Sequence, residues 1–141
     1  MSGIDLDGLA AGALLLLDTA PIIYRIESHP TLRAWFDPVF EAHAEGRVRF
    51  VTATLTIVEV MTGPLKRGDE LMAQRYRTML EDWGVAALDS DVAERAARLR
   101  AQLGLKTADA VIVASALTIG ADAIVTHDRD LKRVRGLRVI S

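Results

Sequence analysis

Four acidic residues, Asp18, Glu59, Asp109 and Asp128, each stand where an apolar segment ends or turns amphipathic. The run Ala13-Leu14-Leu15-Leu16-Leu17 stops at Asp18, and Ala123-Ile124-Val125-Thr126 stops at His127-Asp128-Arg129-Asp130. Glu59 lies inside Leu55-Thr56-Ile57-Val58-Glu59-Val60-Met61, and Asp109 opens Ala108-Asp109-Ala110-Val111-Ile112-Val113. Charges seldom enter such surroundings unless something pairs with them. Carboxylates that converge without basic side chains among them suit a hard cation, Mg2+ or Mn2+.

Each acid also has a plainer use. Asp18 and Asp109 suit the first turn of a helix, beside the positive end of its dipole. Glu59 would need a narrow exposed face on an apolar helix. Asp128 and Asp130 suit a turn, where aspartate bonds its own backbone. The case for chemistry is therefore joint and depends on where the elements bring the four acids.

Those elements read as an α/β alternation. Short apolar runs at 14–17, 48–51, 85–88 and 123–126, with a last one at 137–140, predict buried strands of a parallel sheet. Helices are expected from Ala20 with Thr19 as cap, over Leu32–Ala44, after Thr54 as cap to Gly63-Pro64, and over 69–82. Two more should follow, one capped by Ser90 or Asp91 and ending near Leu103, the other over Ala108–Ile119 capped by Thr107. The fold class is a three-layer α/β arrangement, a central parallel sheet of four to five strands flanked by helices. In open α/β sheets the site lies outside the carboxyl ends of the strands, so Asp18 and Asp128 should face one crevice. Residues 1–12 read as a short leader and 13–141 as one domain.

The chain has 141 residues, no cysteine and a formal net charge of −2. The missing cysteines exclude disulfides, thiolate metal sites and cysteine nucleophiles. Three dispersed histidines, His29, His43 and His127, argue against a His-built site. Setting aside Asp18, Glu59, Asp109, Asp128 and Asp130 leaves 17 basic against 14 acidic residues, a balance that permits an anionic substrate. No stretch reaches the roughly 20 apolar residues of a membrane span. Asp5 and Asp7 precede the apolar run at 9–17 where a secretion signal needs positive charge. A soluble, cytoplasmic protein is expected.

The chain resembles the PIN-domain nucleases, and within them the VapC-type toxins of bacterial toxin–antitoxin pairs. The resemblance runs from Leu14 to Ile140. It rests on Leu-Leu-Leu-Asp18-Thr19, on Thr54-Leu55-Thr56-Ile57-Val58-Glu59-Val60 and on the stretch from Leu105 through Asp109 to Ala116. It finishes with Ile124-Val125-Thr126-His127-Asp128-Arg129-Asp130-Leu131 and Gly136-Leu137-Arg138-Val139-Ile140. The family's four acids fall on Asp18, Glu59, Asp109 and the Asp128-Arg129-Asp130 segment, with Asp128 preferred. Two positions depart from the family. Ala20 stands where an asparagine is frequent, and Leu131 follows Asp130 where phenylalanine is frequent.

The resemblance implies a Mg2+- or Mn2+-dependent endoribonuclease blocked by a cognate antitoxin, with RNA as substrate. Asp18 and Asp109 are expected to bind the metal directly, and Glu59 and Asp128 directly or through water. Asp130 is a further candidate ligand, although Asp130-Leu131-Lys132-Arg133 reads as a short helix that it could cap. The Thr19 and Thr126 hydroxyls would orient a carboxylate or a metal-bound water. A homodimer is expected from apolar helical surface around Trp35, Phe36 and Phe40. Two other classes stay open. One is a flavodoxin-like receiver domain, with Leu88-Asp89-Ser90-Asp91 at the phosphoacceptor position. The other is a non-catalytic PIN-like interaction module.

Overall fold

The computed structural model describes residues 4–141. In chain order the elements are β1 (Ala13–Leu17), α1 (Thr19–Ile26), α2 (Leu32–Ala44), β2 (Val48–Ala53), α3 (Thr54–Lys66) and α4 (Glu70–Trp83). They continue with β3 (Val85–Ala86), α5 (Ser90–Leu103), α6 (Thr107–Ile119), β4 (Ala123–Val125), a 3-10 helix (Arg129–Arg133) and β5 (Arg138–Ile140). The strands form one five-stranded sheet in the order β3-β2-β1-β4-β5. β1 pairs with β4, β4 with β5 and β2 with β3, all parallel. The chain packs as two compact units, one running up to Phe50 and resuming at Ala121, the other Val51–Gly120.

In the first unit, β1 and β4 are apolar at every position and almost wholly buried, as strands covered on both faces must be. Their ladder starts from a clamp: Leu14 N–H donates to Asp122 Oδ2, and Asp122 N–H donates to Leu14 O, both at 2.7 Å. The pairing Leu17↔Val125 then brings the last residues of both strands level. α2 covers this unit with Phe36, Val39, Phe40 and Ala42 turned inward. Phe40 meets Phe50 edge-on at 5.6 Å, and the Arg25 guanidinium lies 5.2 Å above the Phe40 ring. Of the expected leader, residues 1–3 lie outside the described residues. From Ile4 onward the stretch is packed, with Ile4 N–H donating to Trp35 O and Arg138 Nη2 donating to Asp7 O.

In the second unit α6 is apolar all round, and it is buried from Ala110 to Ala116 against α5. α5 and α6 bend by 120° at their junction, and among the described residues no single helix is long and apolar enough to cross a membrane. Gly104 and Gly120 close α5 and α6 in the left-handed conformation, at φ 69° and 68°.

Several expectations are corrected at the caps. Asp18, not Thr19, caps α1, its side chain accepting from Thr19 N–H. Asp89, not Ser90 or Asp91, caps α5 by accepting from Val92 N–H at 2.9 Å. Thr54 and Thr107 are the first helical residues rather than caps, and the Thr54 hydroxyl donates to Ala86 O at 3.0 Å. In each region the helix starts one or more residues earlier than the sequence suggests, so the capping position falls on the residue before. α3 also continues through Gly63-Pro64 to Lys66, since proline there loses a single backbone bond and Gly68, at φ 72°, makes the turn instead. β3 stops at Ala86 and leaves Leu88 41% exposed.

The apolar surface invoked for self-association is also corrected. Phe36 and Phe40 are 1% and 7% exposed, because α2 turns them into the core of its unit. Among the described residues, the large exposed apolar side chains lie in the second unit, led by Leu71 and Val58.

Candidate active site

The end of β1 places the first acid. Asp18 N–H donates to Val125 O at 2.9 Å, which continues the β1–β4 ladder by one step and fixes the backbone on which the carboxylate sits. Its Oδ1 accepts from Thr19 N–H and its Oδ2 from the Thr126 hydroxyl, each at 2.8 Å. Thr126 is fully buried just past β4, and its own N–H donates to Ile140 O at 3.0 Å. The three neighbouring strands β1, β4 and β5 therefore hold this carboxylate as a half-buried group with donors on both oxygens.

Thr126 also reaches the fourth acid. Its Oγ1 accepts from Asp128 N–H at 3.0 Å while donating to Asp18. Asp128 Oδ1 in turn accepts from Asp130 N–H at 2.9 Å and so caps the 3-10 helix. This overturns the expectation that Asp130 caps that helix. The turn starts one residue earlier than the sequence suggests, so Asp128 occupies the capping position and Asp130, exposed, lies in its first turn.

His127 stands between these two partners and was not singled out by its sequence. Its Nδ1 lies 2.6 Å from the Tyr24 hydroxyl, with the two rings edge-on at 5.4 Å. Phe36 meets the same imidazole edge-on at 6.3 Å, and His29 packs against Tyr24 at 5.1 Å. Tyr24 therefore ties α1 to the loop after β4. The only sequence signal for this was position, since His127 lies in a strand-end loop beside an acid.

Glu59 and Asp109 belong to the second unit. Glu59 lies on the exposed side of α3, whose buried stripe is Thr56, Val60 and Pro64. The burial inferred from its apolar neighbours is thus corrected, because those neighbours divide between two faces of the helix and Val58 is itself 61% exposed. Asp109 is half-buried in the first turn of α6, two residues after Thr107.

Among the described residues, no three His, Cys, Asp or Glu side chains gather closely enough to hold an ion by themselves. Mg2+ is compatible with such a sparse set, since it retains several waters and takes one or two carboxylates directly. Asp18 fits that demand: its oxygens are hard donors, and its neighbours orient both of them as supporting groups orient a ligand.

Comparison with known proteins gives consistent results. The sequence model of the PIN domain matches residues 15–137. A toxin–antitoxin complex from Klebsiella pneumoniae contains a chain 26% identical to this one, with a TM-score of 0.69, covering 90% of this chain and 96% of that one. VapBC2 from Rickettsia felis, solved bound to a DNA fragment from its promoter, is 17% identical at a TM-score of 0.68, covering 89% and 96%. VapBC-1 from nontypeable Haemophilus influenzae is 20% identical at 0.67, also covering 89% and 96%. No curated protein matches the chain.

Proposed function

The chain belongs to the PIN domain family, and from that premise we propose that it is a Mg2+- or Mn2+-dependent endoribonuclease acting as the toxin of a toxin–antitoxin pair. The observation that carries this reading is the Asp18 carboxylate, held at the end of the sheet by Thr19 and Thr126. Support for an antitoxin partner comes from the similar structures, which are toxin–antitoxin complexes.

When bound, a divalent ion would lower the pKa of a water and neutralise charge on the scissile phosphate. In this reading Asp18 and Asp109 bind the ion directly, and Glu59 and Asp128 bind it directly or through water. Asp130 stays a secondary candidate. Glu59 and Asp109 enter through the family motif they match. Thr126 keeps Asp18 Oδ2 oriented and, through the Asp128 N–H, keeps the following loop against the same carboxylate. RNA is the substrate, and single-stranded regions are the easiest to admit. The protein would act in the cytoplasm. A homodimer belongs to the same proposal, and Val58 and Leu65, one face of α3 seven residues apart, offer exposed apolar surface for it.

The receiver-domain alternative loses its phosphoacceptor, because the Asp89 carboxylate is engaged in capping α5. The test is to incubate the purified protein with total RNA, with and without Mg2+ or Mn2+, and to map the cut ends. Metal-dependent internal cleavage is the expected result. Intact RNA under all conditions would leave the non-catalytic module as the better reading.

A further inference from the structure

Beside the Asp18–Thr126–Asp128 chain of hydrogen bonds the first unit carries a concavity of about 130 Å³, lined by Leu32, Trp35, His127, Arg129 and Ser141. It is too small for a drug-sized ligand, whose sites run to several hundred cubic ångströms, and suits a single planar ring. Its walls are of three kinds. Leu32 and the Trp35 indole are apolar. Arg129 brings an exposed guanidinium plane, and His127 brings an imidazole.

The imidazole is fixed rather than free. Tyr24 bonds its Nδ1 at 2.6 Å, and the Tyr24 and Phe36 rings pack against it edge-on. With Nδ1 engaged, Nε2 is left as the polar group available to a ligand. It is a donor if Tyr24 donates to Nδ1, and an acceptor in the other tautomer. Ser141 Oγ, on the same wall, is buried and has no hydrogen-bond partner among the described residues. The cavity thus combines stacking surfaces with one polar edge, His127 Nε2, whose bonding capacity is unused. That is the chemistry of a ring with a hydrogen-bonding edge.

Its surroundings are basic. Arg129, Lys132, Arg133 and Arg135 are all exposed within seven residues, against the single acid Asp130. A polyanion running along this strip would pass the cavity mouth at Arg129 and reach Asp128 one residue earlier. Unpaired RNA bases are bound in this way, stacked on aromatic or guanidinium planes and read along their polar edges.

We infer that this cavity is the subsite for one unpaired nucleobase of the RNA, next to the nucleotide that is cut, with Trp35 and Arg129 as its stacking surfaces and His127 Nε2 reading its edge. This rests on the ribonuclease reading above and adds the part of the site that would select sequence. A side chain of the antitoxin is the competing occupant.

The test uses labelled single-stranded octamers of uridylate and adenylate, with the Asp18→Asn protein to prevent cleavage. Trp35→Leu and His127→Ala, each added to it, should weaken anisotropy-measured binding on the order of tenfold, the usual scale of one base–aromatic contact. In the cleavage-competent protein the same changes should raise KM with kcat little altered, as loss of uniform binding does. Trp35 emission, isolated by Trp83→Phe, should be quenched by at least one octamer. Unchanged affinity and KM in both variants, with RNA cleavage intact, would overturn the subsite and leave the ribonuclease reading standing. Quenching by the antitoxin but by neither octamer would also overturn it. Absence of any RNA cleavage by the unaltered chain would remove both.

Discussion

The Thr126 hydroxyl donates to Asp18 Oδ2 at 2.8 Å, joining residues 108 positions apart in sequence. The same oxygen accepts from the Asp128 N–H at 3.0 Å. One buried side chain just past the middle strand of three therefore orients the carboxylate at the end of β1 and anchors the loop that follows β4. The two acids it connects are two of the four proposed to hold the metal.

Thr126→Val should therefore damage both partners while keeping the shape of the side chain. It removes the donor to Asp18 and leaves the Asp128 N–H without its acceptor, at a cost of roughly 1–3 kcal/mol for a buried unsatisfied group. Thr126→Ser, which keeps the hydroxyl, should restore most of the stability and activity. Urea unfolding of both variants, read beside RNA cleavage, checks this. A Thr126→Val protein as stable and active as the parent would show that the bridge contributes nothing.

Asp18→Asn and Asp109→Asn should each nearly abolish cleavage. Both changes keep the size of the side chain; in Asp18→Asn the amide oxygen still accepts from Thr19 N–H and the amide nitrogen can donate to Thr126 Oγ1 in place of the bond it received, so the thermal midpoint should move little. Excess EDTA should reproduce the loss in the parent protein, and added Mn2+ should reverse it. Activity that survives chelation would end the metal-dependent reading.

The cap on the 3-10 helix gives a way to separate charge from structure at Asp128. Asp128→Asn keeps an oxygen for the Asp130 N–H and should lose activity at nearly unchanged stability. Asp128→Ala loses the cap as well and should be less stable by about 1 kcal/mol. Asp130→Ala, at an exposed position in the first turn, should leave stability nearly unchanged. If Asp130→Ala is the inactive variant and Asp128→Asn is active, the fourth acid is Asp130.

His43 makes the fold sensitive to acid. Its ring stacks on Phe50 with centroids 4.0 Å apart, and burial holds its pKa below the ordinary 6.5. The unfolded chain therefore takes up the proton first as pH falls. Stability is fully present above about pH 6.5 and declines as pH drops from there towards the lowered folded pKa. His43→Phe keeps a flat ring against Phe50 and removes the titration, so it should flatten that part of the pH profile. Urea midpoints at about pH 5 and about pH 8 for the two proteins measure this directly. An equal acid loss in both would assign the effect to other groups.

Much of this protein was legible in its residue order. Uninterrupted apolar runs announce strands covered on both faces, so Ala13–Leu17 and Ala123–Val125 could be read as a buried parallel pair. Glycines in the left-handed conformation ended α5 and α6 where the sequence has Gly104 and Gly120. The acids at the ends of those runs, together with the spacing of the motifs, were enough to indicate the family.

Other features depended on the register between strands and on which face a helix buries, and neither quantity is local. That Thr126 meets Asp18 follows from Leu17 pairing with Val125, a relation set by ladder hydrogen bonds between distant segments. Helix packing buried Phe36 and Phe40 and left Glu59 exposed, although all three sit in similarly apolar sequence. The choice of Asp128 over Asp130 as cap turned on where the chain first leaves β4. The pairing of Tyr24 with His127 needed α1 and the β4 loop to meet across 103 residues. Residue order determined the elements and the chemistry they carry. Only the tertiary structure decided which side chains touch, because contact energies act between segments that the sequence does not place side by side.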